Sequence, residues 1–263
     1  MLRSMYAGIS GMKNFQTKLD VIGNNIANVN TAGFKKGRVT FQDMMSQTTA
    51  GGQGATDGRG GINPIQVGLG SQLGSIDNVH TQGFRETTNI PLDLQLEGDG
   101  MFVLQADNAT YYTRAGNFYL DTTGNIVNPD GYYLMSTTNS MIQIPDDAKS
   151  YSIQTDGTVN FVDQNNEQQV AGRIAIASFS NPSGLEKAGS NLFLNSPNAG
   201  YVGVVAPETE GAASIISGAL EMSNVDLAEE FTKMIVAQRG FQANTRIIST
   251  SDEILQELVN LKR

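Results

Sequence analysis

Apolar residues recur at alternating intervals of three and four at both ends of this chain, and at intervals of two between them. A period near 3.5 keeps one stripe on one face of a helix, whereas a period of two sends side chains to opposite faces of a strand. The chain must therefore combine helical ends with a β-rich middle. At the N-terminus the stripe is Leu2, Met5, Ile9, Met12, Gln16, Leu19, Gly23 and Ile26. Gln16 and Gly23 interrupt it, and Gly8 and Gly11 each weaken a helix by about 1 kcal/mol relative to alanine. The helix is expected to stop in the run from Asn24 to Phe34, where asparagine side chains compete for backbone hydrogen bonds and Gly33 can take a positive φ.

At the other end Leu227, Met234, Phe241, Ile248 and Leu255 recur at every seventh position, with Leu258 and Leu261 beside them. Ser223, followed three residues later by Asp226, approximates a capping box. Asp226, Glu229 and Glu230 at the start and Lys262-Arg263 at the finish suit the helix dipole. A helix from residue 225 to 261 would be about 55 Å long, more than a small domain covers, so its stripe needs a partner. Closing a long loop costs little more than closing a short one, so the two stripes can meet within one chain. Apolar edges left over can then meet other copies, and a head-to-tail contact that does not close on itself gives a fibre.

Between the ends, Leu92, Leu94 and Leu96 alternate with Asp93, Gln95 and Glu97. Met101-Phe102-Val103-Leu104 and a turn candidate at Asp107-Asn108 follow. Short β-branched and aromatic runs then continue to Ala177, punctuated by Thr123-Gly124, Asp130-Gly131 and Asp156-Gly157, which is the pattern of a β-meander. The stretch 46–75 is rich in glycine and poor in large side chains, hence an extended linker. The expected fold is α+β: long terminal helices that pack as a coiled coil in an assembly, and a central all-β domain. The expected segments are 1–45, 46–75, 76–218 and 219–263.

Composition removes most chemistry. The chain has no cysteine and one histidine, His80, so a Cys/His zinc site, an iron–sulfur cluster, a disulfide framework and a thiol nucleophile lack their ligands. Gly68-Leu69-Gly70 and Gly74 misplace the last glycine of a dinucleotide loop, and neither a Walker loop nor a nucleophile elbow occurs. No uninterrupted apolar run is long enough for a spanning helix or an h-region near the N-terminus. The first 42 residues hold six basic residues against Asp20 alone, within a chain of net charge −9. Those cations are dispersed and lack an aromatic platform, so a solvated helix face is the better reading than nucleic-acid binding. The many Asp and Tyr residues keep a glycan-binding or glycan-acting protein as a remote alternative. No catalytic, cofactor or metal residue is assigned.

The run Asn24-Asn25-Ile26-Ala27-Asn28-Val29-Asn30-Thr31-Ala32-Gly33-Phe34-Lys35 resembles the N-terminal signature of bacterial flagellar hook and basal-body rod proteins. Glu221-Met222-Ser223-Asn224-Val225-Asp226-Leu227, running into Met234 to Asn244, resembles their C-terminal signature. Gly98-Asp99-Gly100-Met101-Phe102 and Tyr112 to Phe118 are similar to their shared β-domain. Within the family, Asn30 to Phe41 and the ending from Ser251 look most like the short hook proteins of Gram-positive bacteria, whereas the length and the Gly-rich stretch also suit the distal rod protein.

This resemblance implies a non-enzymatic axial subunit, a hook component transmitting torque or, as the alternative, a distal rod component. It would lie in the bacterial flagellum, in the cell envelope or outside the cell, and leave by the type III export apparatus without a cleaved signal peptide. Implied partners are further copies of the chain, neighbouring rod, hook and hook–filament junction proteins, and a hook or rod cap; nucleic acid, membrane insertion and cofactors are not expected. Assembly contacts fall on Leu2, Met5, Ile9, Met12, Leu19 and Ile26 and on Leu227, Met234, Phe241, Ile248, Leu255 and Leu258. The motif residues are Asn24, Asn25, Asn28, Asn30, Thr31, Gly33 and Phe34. Phe41, Met44 and Met45 resemble the family's export-gate element.

Overall fold

The computed structural model describes residues 2–55, 58–106, 109–209 and 211–261. The Leu2 side chain, the Asp107-Asn108 turn and the basic pair Lys262-Arg263 lie outside the described residues. The chain divides into two compact units. One comprises 1–27, 37–77 and 226–263; the other comprises 28–36 and 78–225. These cut across the segments expected from sequence, because Asn28–Lys36 belongs with the β-rich unit and the following strands belong with the helices.

The helical unit contains α1 (Leu2–Ala27), β1 (Gly37–Asp43), β2 (Ser46–Ala50), β3 (Ile65–Gly68), β4 (Ser71–Asn78) and α2 (Leu227–Leu261). Residues 46–75, read from sequence as a linker, hold the β2–β3 hairpin and the start of β4, which pairs with β1. Asn14 Nδ2 donates to Ser71 Oγ at 2.8 Å, tying β4 to α1.

The helices run antiparallel. A Cβ on Gly8 would lie 3.3 Å from Ile248, one on Gly11 would lie 2.8 Å from Asn244, and one on Gly240 would lie 2.5 Å from the Phe15 ring. Asn25 meets Glu230 further along. This register makes the seam of α1 Gly8, Met12, Phe15, Leu19, Ile22 and Ile26, with steps of four and three. Three positions of the stripe expected from sequence are therefore rotated by one residue: Gly8, Phe15 and Ile22 take the places assigned to Ile9, Gln16 and Gly23. On α2 the buried positions are Glu230, Ala237 and Ser251, which alternate with Met234, Phe241, Ile248 and Leu255. Sequence reading found only the apolar half of that seam.

The start of α2 also differs from expectation. Asp226, rather than Ser223, is the N-cap: its Oδ1 accepts from the N–H groups of Ala228 and Glu229 at 2.8 and 3.2 Å. Ser223 Oγ instead accepts from Val225 N at 3.3 Å. The register places the beginning of α1 near Glu253, so Ile254–Leu261 extends about 12 Å past it. No described helix is long and apolar enough to cross a membrane.

The β-rich unit contains, in order, β5 (Arg85–Thr87), β6 (Leu94–Glu97), β7 (Met101–Ala106), β8 (Ala109–Thr113), β9 (Tyr119–Leu120), β10 (Ile126–Val127), β11 (Tyr133–Leu134), β12 (Ser150–Ile153), β13 (Thr158–Val162), β14 (Gln168–Arg173), β15 (Ile176–Phe179), β16 (Glu186–Gly189), β17 (Leu192–Leu194), β18 (Tyr201–Val205), β19 (Ser214–Ser217) and β20 (Ala219–Glu221). Strand β7 is central. It pairs with β8 along one edge, while β11 and β15 share the other. Phe102 and Leu104 enter one apolar cluster with Leu94, Leu96, Phe118 and Ile174; Met101 and Val103 enter a second with Tyr112, Ala177 and Phe193. A continuous apolar run is what a strand buried on both faces requires. The alternation at residues 92–97 did not foretell burial of Asp93 and Gln95, which are 7% and 3% exposed. Strand β6 pairs along its edge with β19, from Ser214 opposite Glu97 to Ser217 opposite Leu94.

Replacing Gly240 with leucine is expected to push the Phe15 ring from the seam and to destabilise the helix pair by roughly 1–3 kcal/mol. Thermal melts followed by the helical far-ultraviolet signal should show this loss while near-ultraviolet tyrosine signals of the β-rich unit keep their midpoint.

Candidate assembly interface

Within the β-rich unit, the parts of the sequence that carry the resemblance converge on one carboxylate. Asn28 to Lys36 forms successive turns, with Thr31 N donating to Asn28 O and Phe34 N to Thr31 O. Gly33 has φ +70°, and a Cβ there would lie 2.5 Å from Ala115 N, so no other residue fits without moving backbone. Its N–H donates to Glu221 O at 2.7 Å. Lys35 then extends inward, donating from Nζ to Glu221 Oε1 at 2.6 Å and to Thr81 O at 2.8 Å. Gly83 N donates to the same Oε1 at 2.9 Å. Arg114 Nε lies 3.0 Å from Oε2 as an ion pair without a well-aligned hydrogen bond. The remaining guanidinium nitrogens donate to Gly100 O and Gly98 O at 2.6 and 2.8 Å.

Lys35, Glu221 and Arg114 are 1%, 1% and 4% exposed. Burial is the main cause that lowers the Lys35 pKa, with Glu221 acting against it and Arg114 adding to it. Burial likewise lowers that of Arg114, opposed by Glu221 and Asp99. Both cations are held in structural contacts, Lys35 with Glu221 and Thr81 and Arg114 with Glu221, Gly98 and Gly100. What such a cluster provides is specificity of arrangement, since breaking one member leaves an uncompensated buried charge.

Nearby, His80 packs its ring 5.6 Å from Phe193, and both ring nitrogens are buried without a hydrogen-bond partner. Burial, then Lys35, Arg114 and Lys187, lower its pKa from 6.5 to about 4. Among the described residues no group of three or more His, Asp or Glu converges as metal ligands.

The expected motif residues separate between the units. Asn25, 2% exposed, belongs to the helical unit, where Nδ2 donates to Gly37 O and Glu230 Oε2 and Oδ1 accepts from Gly37 N. Asn28 Oδ1 accepts from Thr31 Oγ1, and Phe34 is buried beneath Lys187, whose Nζ stands 5.2 Å from its ring centre. Asn24 and Asn30 are exposed. Asn224, overlooked by the periodicity argument, accepts from Lys36 N and donates to Val79 O, both at 2.8 Å. Lys35, Arg114 and Glu221 were not singled out either. Their signal was available as isolated charges inside the quoted signatures.

Of the expected assembly residues, Met5, Met12, Leu19, Ile26, Met234, Phe241, Ile248 and Leu255 are half-buried, while Ile9, Leu227 and Leu258 are exposed. Phe231, Ile235, Val236, Ile247 and Ile254 are also exposed apolar positions on α2. Phe41 lies edge-on to Phe15 at 6.4 Å, Met44 is half-buried, and Met45 is 86% exposed.

The family described as "Flagella basal body rod protein" matches residues 5–35, "Flagellar hook protein FlgE/F/G D1 domain" residues 95–161, and "Flagellar basal body rod FlgEFG protein C-terminal" residues 216–261. Each matched segment contributes one member of the buried cluster: Lys35, Arg114 and Glu221. The flagellar basal-body rod protein FlgG of Bacillus subtilis is 58% identical over 264 residues covering 100% of both chains. That of Caulobacter vibrioides is 39% identical over 265 residues, covering 99% of this chain and 100% of the relative. The flagellar hook protein FlgE of Borreliella burgdorferi is 30% identical over 441 residues, again spanning 100% of both chains.

Glu221→Ala should destabilise the β-rich unit by about 3–5 kcal/mol in urea titrations, because two buried cations lose their partner. Lys35→Met should cost less, since Arg114 still neutralises the carboxylate. For His80 the unfolded chain takes up a proton between pH 6.5 and about pH 4 while the folded chain does not. Its contribution is therefore complete above pH 6.5 and lost as pH falls to about 4, and His80→Phe should flatten that part of the stability–pH curve relative to the parent chain.

Proposed function

Because the chain belongs to the bacterial flagellar hook and basal-body rod protein family, it is an axial structural component of the flagellum, and we propose that its place is the distal rod. The single observation that carries this reading is the end-to-end match at 58% identity to a rod protein. The hook reading drawn from residues 30–41 and 251–263 gives way: the alignment to a hook protein opens to 441 residues at 30% identity, whereas rod proteins align over 264 and 265.

In this role the protein makes and breaks no bond. The helix pair supports such a role because pairing leaves apolar positions on both flanks of the α2 seam, Phe231 and Ile235 on one side and Val236, Ile247 and Ile254 on the other. Neighbouring copies cover these flanks, joined by Met5, Ile9, Leu227 and Leu258. Leu255 and the overhanging turns of α2 extend the contact along the tube. Phe41, Met44 and Met45 act earlier, in the unfolded chain at the type III export gate, since in the folded unit Phe41 already packs on α1. Adjoining rod, hook and cap proteins meet the ends of the polymer, and export proceeds without a cleaved signal peptide.

Cells lacking this chain should build basal bodies with a shortened rod and no hook, visible by cryo-electron tomography. A complete rod lacking only the hook would refute the placement. Purified chain truncated after residue 225 should keep the β-sheet signal and its cooperative unfolding yet form no polymer; tubes made by the truncated chain would refute the helical interface.

A further inference from the structure

Residues 213–222 reach four separate parts of the β-rich unit. Glu221 takes Gly33 and Lys35 from the Asn-rich turns and Arg114 from the end of β8. Gly218 N donates to Asp93 O and Met222 N to Phe84 O, each at 2.8 Å, beside the strand pairs β19–β6 and β20–β5. Ile215 N donates to Thr155 O at 3.0 Å, between β12 and β13. From this convergence we propose that residues 213–222 are a folding latch: the strands before them acquire fixed tertiary structure only when this last segment docks.

Strand pairing by itself favours the opposite order. Strands β7 to β18 pair among themselves, and only β5 and β6 wait for β20 and β19. Two features oppose an early sheet. Arg114 ends β8 at 4% exposure, and its ion pair is with Glu221, Asp99 exerting a lesser pull. A sheet that closed around Arg114 without Glu221 would bury a cation lacking its partner. The second feature is apolar. Ala213 and Ile215, 2% and 0% exposed, belong to the cluster that holds Phe102, Leu104, Phe118 and Ile174, and β19 brings β6 with Leu94 and Leu96 into it. Until they arrive, that face of β7 lacks part of its cover.

The latch is also slow to reach. Lys35 and Glu221 are 186 residues apart, and the entropy of closing such a loop is lost before the contact rewards it. Synthesis delivers the N-terminus first, at roughly 5–20 residues per second. Lys35 and Arg114 are therefore made well before their carboxylate, and the chain stays open until most of it exists. An open chain is what passage through the export gate requires. That use of the latch rests on the flagellar reading above; the order of folding does not.

The test unfolds the full-length chain in urea, dilutes it, and labels it at intervals by pulsed hydrogen exchange read residue by residue. Amides of β7 and β8 should gain protection in the same phase as Ile215, Gly218 and Met222. Protection of β7 and β8 ahead of those three overturns the latch. Glu221→Gln removes the charge and keeps the shape, and should slow that phase about tenfold, whereas Asp130→Asn at an exposed turn should leave it unchanged. Equal rates for the two variants also overturn the latch. The order of protection in the parent chain decides the matter even where Glu221→Gln fails to fold. These readings come from the chain alone, so their failure leaves the rod placement standing, and a complete rod in cells lacking the chain leaves the latch standing.

Discussion

A single buried carboxylate organises the β-rich unit. Glu221 at the end of β20 is met by Lys35 from the Asn-rich turns, by Arg114 from the end of β8 and by the N–H of Gly83, while its own carbonyl accepts from Gly33. Placing two cations around one carboxylate out of water is costly unless each finds further acceptors, and each does: Lys35 at Thr81 O, Arg114 at the carbonyls of Gly98 and Gly100. Segments far apart in sequence are thereby held in one arrangement. An apolar cluster would tolerate sliding; a buried ion cluster does not. Gly33, Gly98 and Gly100 all take positive φ, and side chains there would meet the backbone of Ala115, the backbone of Ala213 and the Ile176 side chain.

The helical unit follows a different rule. Its seam is not uniformly apolar: Glu230, Asn244 and Ser251 alternate with Met234, Phe241, Ile248 and Leu255, and Gly8, Gly11 and Gly240 allow close approach. Asn25 and Glu230 fix the register where the helix ends and β1 begins. Polar seam positions specify alignment at a cost in stability. Exposed apolar positions remain on the flanks of α2, which suits a chain whose helices find additional neighbours in a polymer.

Periodicity alone located both helices, the β-rich middle and the tight turns, because each repeats a local geometric rule many times. It misjudged what depends on a neighbour. Phe15 and Ile22, not Gln16 and Gly23, enter the seam, since the one-residue rotation of α1 is chosen by Asn25 and by the glycines. Ser223 resembled an N-cap, yet its hydroxyl serves Val225 while Asp226 caps the helix. Asp93 and Gln95 occupy the polar places of an alternation and are nonetheless buried.

The order of signatures along the chain was sufficient to identify the family, and the long unpartnered stripes were sufficient to expect self-assembly. Those are properties of patterns that repeat locally, so they survive without knowing what packs against what. The pairing of Lys35, Arg114 and Glu221, the neutral burial of His80 and the docking of residues 213–222 were decided only in three dimensions. Each depends on a few side chains brought together from distant positions, and a single charged residue carries no periodicity from which its partner can be read.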